Sequence, residues 1–121
     1  MNPFLLLPKS QYLFESEYFY LIYDKFPVSK GHILIISKSE KVDYFELTIL
    51  EQKDLLINIG KAKEIIEMNF SPDGYNIGMN CGEYAGQTVM HFHCHIIPRY
   101  KGDMDNPRGG IRHCIAGKGY Y

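Results

Sequence analysis

Three of the five histidines fall at i, i+2 and i+4, as His91, His93 and His95 in the run His91-Phe92-His93-Cys94-His95-Ile96-Ile97. Side chains alternate across an extended strand, so this spacing puts three imidazoles on one face and turns Phe92, Cys94 and Ile96 toward a core. On a helix the middle ring would sit ~200° from the first, at ~100° per residue. The row could be a solvated polar face. It could hold a metal, since imidazole is a common zinc ligand. The outer rings, however, lie ~13 Å apart along a strand, and no second Cys/His cluster stands out. The reading that uses all three rings is nucleophilic. An imidazole with a pKa of ~6.5 is largely neutral near pH 7. Its bare nitrogen can attack phosphorus, giving a phosphoimidazole that water hydrolyses. Flanking histidines could then donate hydrogen bonds to phosphoryl oxygens, and such a transition state chiefly needs positioning and charge stabilisation.

The preceding segment, Asn80-Cys81-Gly82-Glu83-Tyr84-Ala85-Gly86-Gln87-Thr88, suits the same chemistry. Its glycines allow backbone N–H groups close to anionic oxygens, and Asn80, Gln87 and Thr88 offer neutral donors. Alone, the glycines would read as an ordinary hairpin turn. The elements around the site follow from pattern. Residues 19–23 are aromatic and β-branched and read as a strand. Pro27 to Gly31 is a turn, and residues 32–36 form a second strand that pairs with the first as a hairpin. Thr48 and Glu51 fit a capping box. Leu55, Ile59, Ala62 and Ile66 then mark one face of an amphipathic helix, which Ser71-Pro72-Asp73-Gly74 ends. Residues 75–80 and 87–97 read as two further strands, with Pro98 closing the second. The order implies an antiparallel sheet with a helix packed on it, an α+β domain.

Composition sets the outer bounds. With 121 residues the chain reads as one domain, with a core over about residues 4–100 and an irregular tail over 101–121. Its 13 Lys+Arg and 14 Asp+Glu give a net charge of −1, which argues against a nucleic-acid partner bound by bulk charge. No apolar run is long enough for a membrane span, and the first residues lack the charged and apolar regions of a secretory signal. Three widely spaced cysteines, Cys81, Cys94 and Cys114, form no disulfide framework and fit a reducing cytoplasm.

The motif His-φ-His-φ-His-φ-φ, with φ apolar, resembles that of the histidine triad (HIT) superfamily of nucleotide hydrolases and transferases, and residues 91–97 match it throughout. Gly86-Gln87-Thr88-Val89, Asp24 to Pro27 and Gly31-His32-Ile33-Leu34-Ile35 extend the resemblance over roughly residues 4 to 100. The tail from Asp105 to Arg112, with Lys118-Gly119-Tyr120, resembles a bacterial branch of diadenosine polyphosphate hydrolases. The resemblance implies a five-stranded antiparallel sheet with two helices, joined to a second sheet across a homodimer. It implies His93 as nucleophile on an α-phosphate through a nucleotidyl-histidine intermediate, with His91 and His95 orienting its ring and contacting phosphate, and His32 supporting the triad from the next strand. Asp24 would accept ribose hydroxyls. Asn80, Gln87 and Thr88 would bind phosphates or aid the leaving group. Ile22 and Leu34, with Phe4 or Leu6, would line a base pocket. No cofactor is expected to be obligatory, although Mg could accompany the substrate. Structural zinc is not expected, because the Cys-x-x-Cys of many relatives is missing.

The activity so implied is hydrolysis of dinucleoside polyphosphates, diadenosine tetraphosphate first, with release of a nucleoside monophosphate. The alternatives are an adenosine phosphoramidase cleaving a P–N bond, a nucleotide-binding module without turnover, and zinc sequestration by the triad. Arg99, Lys101, Arg108, Arg112 and Lys118 in the tail could hold distal phosphates or simply form a solvated arm.

Overall fold

A computed structural model of the chain describes residues 2–121. Its sheet is five-stranded and antiparallel, in the order β1-β2-β3-β5-β4. The strands are β1 (Phe14–Glu15), β2 (Phe19–Tyr23), β3 (Ile33–Ser37), β4 (Gly74–Gly78) and β5 (His93–Arg99). The sequence pattern locates four of these; β1, two residues long, carries too little pattern to be seen. Among the described residues there is one α-helix, α1 (Ile49–Asn69), where the resemblance implied two. The N-terminal stretch instead makes two short 3-10 turns, Pro3–Leu6 and Lys9–Gln11. Pro3 and Pro8 lack the N–H groups a longer helix there would use.

The helix begins where the capping box places it. Thr48 Oγ1 accepts from Glu51 N at 3.1 Å, and Glu51 Oε1 accepts from Thr48 N at 2.8 Å. Leu55, Ala62 and Ile66 are buried against Phe19, Leu21, Ile33, Ile35, Phe92, Cys94 and Ile96. Each fully buried Leu or Ile contributes about 1.5–3 kcal/mol. Asn58 shares this buried line, its Nδ2 donating to Ser16 Oγ and to Asp54 O. The opposite sheet face is also covered: Tyr20, Ile22, Leu34 and Ile36 pack beneath Phe4, Leu7 and Tyr12. This explains why β3 is apolar without alternation: every one of its residues is buried.

Strand parity decides which side chains meet on that second face. Leu34 pairs with Ile22 and with His95, Ile36 with Tyr20 and with His93, and Gly78 with His95. Counting by twos, Tyr20, Ile22 and Asp24, then His32, Leu34 and Ile36, then His93, His95, Ile97 and Arg99, and finally Asn76 and Gly78, all share it. Two strand limits differ from the pattern. Residues 87–92 are irregular, so β5 begins only at His93. Pro98 does not end β5, which continues to Arg99 beside β4. Pairing with β3 has stopped at Ile96, so the absent N–H of Pro98 costs no ladder bond; its carbonyl accepts from Ser29 Oγ at 2.7 Å. Replacing Thr48 by Ala is expected to lower stability by about 1 kcal/mol, read as a fall in the urea midpoint with unchanged slope.

Candidate active site

Hydrogen-bond partners fix where the protons of the four site histidines reside. His93 Nδ1 lies 2.9 Å from the backbone oxygen of His91. A carbonyl can only accept, so Nδ1 carries the proton and the lone pair of a neutral His93 is at Nε2. His32 Nδ1 accepts from Val28 N at 3.2 Å, which leaves its proton on Nε2. That nitrogen is 2.9 Å from His95 Nδ1 and 3.5 Å from Asp24 Oδ2. His95 Nδ1 therefore accepts, and the neutral ring holds its own proton on Nε2. The outcome is one bare nitrogen on His93 and one N–H on His95, with the two ring centroids 5.3 Å apart.

Burial disfavours the charged forms of His32 and His95. It pushes the His32 imidazole below its ordinary value, against the opposing pull of Asp24. It pushes His95 down to about 4, helped by His93 and His32 nearby. In front of His93 and His95 lies a cavity of about 320 Å³. Phe4, Ile22 and Leu34 form its apolar wall, and Asp24 and Thr88 stand at its rim. Phe4 sits edge-on to His93 at 5.1 Å. Asp24 Oδ1 accepts from Phe26 N at 2.9 Å, so the carboxylate is held in place at the end of β2.

Several expected roles are placed differently. His91 is buried before the strand begins. Its Nε2 donates to Ser37 O at 2.7 Å, and its Nδ1 accepts from Asn2 Nδ2 at 2.8 Å. With both nitrogens occupied, the ring has nothing left for a phosphate; the part of His91 that serves the site is its carbonyl, which orients His93. Gln87 is also buried, with Nε2 donating to Val42 O and Val89 O and Oε1 accepting from Gly82 N. It braces the 82–89 loop rather than offering a free donor. Gly86 at φ +93° closes a 3-10 turn in that loop, a backbone that favours glycine. Asn80 is exposed and does not line the cavity. Leu6 is exposed too, and Leu7 takes the place beside Phe4. Pattern gave no signal for Asn2 or Leu7, and Val89, which stands out only as part of the Gly86–Val89 motif, also lines the cavity. Phe26 at the cavity mouth stands two residues after Asp24, a spacing that could have drawn notice.

Asp24, His32 and His95 bring three potential metal-ligand atoms within 4.8 Å of one another. The proton pattern does not suit a cation there. His32 commits its Nδ1 lone pair to the Val28 amide and carries a proton on Nε2. Ligation would require loss of that proton or of that bond.

A family model described as HIT domain matches residues 8–102. The chain is 35% identical over 101 residues to the bis(5'-adenosyl)-triphosphatase of Dictyostelium discoideum, covering 84% of this chain and 68% of that protein. It is 42% identical over 78 residues to the asymmetrical bis(5'-nucleosyl)-tetraphosphatase of Schizosaccharomyces pombe, covering 64% of this chain but only 43% of that one. The crystal structure of a HIT family protein from Bacillus anthracis superposes with a TM-score of 0.72 at 40% identity, over 77% of this chain and 66% of the other. The chain thus spans only part of the length of each.

Folded His95 resists protonation until about pH 4, whereas an unfolded imidazole takes up its proton near 6.5. The unfolded state binds more protons in between, so the His95 contribution to stability is complete above about pH 7 and stability should fall as pH drops from 6.5 toward 4. Urea midpoints at pH 7.5, 6 and 5 check this; no decline by pH 5 would contradict it.

Proposed function

The chain belongs to the HIT family, and from that premise we propose that it is a nucleotide hydrolase acting on dinucleoside polyphosphates, with diadenosine tetraphosphate the expected substrate. The observation that carries this reading is the bare His93 Nε2 beside a cavity with an apolar wall and a carboxylate at its rim. The base would pack on Ile22, Leu34 and Phe4, and Asp24 would accept from the ribose hydroxyls. His93 Nε2 attacks the α-phosphorus; a P–N bond forms as the P–O bond to the leaving polyphosphate breaks. Water then cleaves the P–N bond and frees a nucleoside monophosphate. The N–H of His95 donates to a phosphoryl or departing oxygen, and Thr88 offers a second donor. No step requires a metal from the protein, and any Mg would arrive on the polyphosphate.

The same nucleophile would open an adenosine phosphoramidate, so the leaving group decides between the two activities. The names of the two enzymes above favour the polyphosphate. His93→Ala should lower turnover of diadenosine tetraphosphate at least a thousandfold while AMP binding stays within about threefold. Product analysis should show AMP and ATP from the unaltered protein. Turnover retained in a contaminant-free His93→Ala preparation would end the assignment.

We also propose that two copies join through β4. This strand is a sheet edge with unpaired backbone groups, and exposed Ile77 on it lies on the same side of the sheet as exposed Leu56 and Ile57 of α1. Sedimentation equilibrium should give twice the mass of 14.0 kDa, and Ile77→Lys should return the protein to monomers. A monomer at micromolar concentration would refute the pairing.

A further inference from the structure

The segment after β5 is not a loose arm. Arg99 donates from Nε and Nη2 to Asp103 at 2.8 Å each, which turns the chain back on itself. The 3-10 turn Gly110–Cys114 then packs on β4, with Ile111 Cδ1 within 3.5 Å of where a side chain on Gly78 would begin. Gly78 is the β4 partner of His95, so the tail lies on the histidine-bearing face, one strand spacing (about 4.8 Å) from the catalytic strand. The nucleoside cavity is on the other side of that strand, over β2 and β3.

The tail is braced from within. Arg112 donates from Nη2 to Lys118 O at 3.1 Å, Tyr120 Oη to Asn106 O at 3.0 Å, and His113 Nε2 to Arg108 O at 2.9 Å. Gly119 is required there, because a Cβ on it would land on the His113 ring. This bracing holds two cations around one aromatic ring. The guanidinium carbons of Arg108 and Arg112 are 4.7 and 4.8 Å from the centroid of Tyr121. Neither has a carboxylate partner among the described residues, whereas Arg99 does. Two like charges gathered and left unneutralised favour an anion between or beside them. Among the described residues, Lys25 is the one cation lining the nucleoside cavity, too little for a substrate with several further phosphates.

We infer that Arg108 and Arg112, held on Tyr121, form the subsite for the departing half of the substrate and bind the phosphates beyond the one that His93 attacks. The inference rests on the polyphosphate reading above. It makes the tail a selector of leaving group: a long polyanion gains contacts there that a small neutral amine does not.

The test compares diadenosine tetraphosphate with adenosine 5'-phosphoramidate, and adds a calorimetric titration with inorganic tripolyphosphate. Arg108→Gln should raise KM for the tetraphosphate about tenfold or more, the loss expected of a charge-assisted contact, and leave kcat/KM for the phosphoramidate within twofold. It should weaken tripolyphosphate binding by a similar factor. Arg108→Lys, which keeps the charge, should retain more of both. Equal losses on the two substrates, equal losses in the Gln and Lys variants, or no change in tripolyphosphate affinity would each overturn the subsite. Should the unaltered protein hydrolyse neither nucleotide, the hydrolase reading fails, and the tripolyphosphate titration still decides whether the tail binds polyanions.

Discussion

The register between β3 and β5 is the constraint on which the site depends. Pairing Leu34 with His95 and Ile36 with His93 sets His32, two residues before Leu34, diagonally against His95. A slip of one residue would turn His93 and His95 into the helix-packed core and bring Cys94 outward. The core prevents that slip, since Phe92, Cys94 and Ile96 are buried against α1 and could not be exchanged for imidazoles without stranding polar groups. Hydrophobic burial on one face of β5 thus positions the chemistry on the other. Changes far from His93, on the buried side of α1, would act on the site through this register.

Within that frame, the protein sets proton positions by choosing partners that can only donate or only accept. A backbone amide faces His32 Nδ1, and a backbone carbonyl faces His93 Nδ1. Each removes one of the two tautomers of a neutral ring. Burial supports the same end by disfavouring the charged forms of His32 and His95. His91 adds to this from below. Its ring is tied to Ser37 and Asn2, which holds its carbonyl where His93 needs it. The first histidine of the motif works through its backbone, and the third works through a relay from the neighbouring strand.

Much of this is legible in the sequence, and the limits are physical. Alternation announces β5, and the capping box of Thr48 and Glu51 marks the start of α1. Parity alone would predict three equivalent rings. His91 does stay on that side, its ring edge-on to the same Phe4 that meets His93, but Asn2 and Ser37 occupy both of its nitrogens, and parity cannot show those partners. Gln87 misleads for a related reason: its side chain type offers donors, but only the fold shows them taken by Val42 and Val89. Asn2 and Leu7 reach the site from 3-10 turns whose packing has no period to read. Leu34, within β3, and Asp24, one residue past the end of β2, both line the cavity, because the hairpin that carries them is regular.

The distribution of charge follows a consistent division. Burial disfavours the charged forms of His32 and His95, so on the proposed reading stabilisation at the attacked phosphorus comes from oriented N–H dipoles rather than full charges. Full charges sit instead on Arg108 and Arg112, over β4. On the proposed reading, the leaving half is held by the tail over β4 and the attacked phosphorus faces β5, so binding and attack are assigned to different segments of the chain.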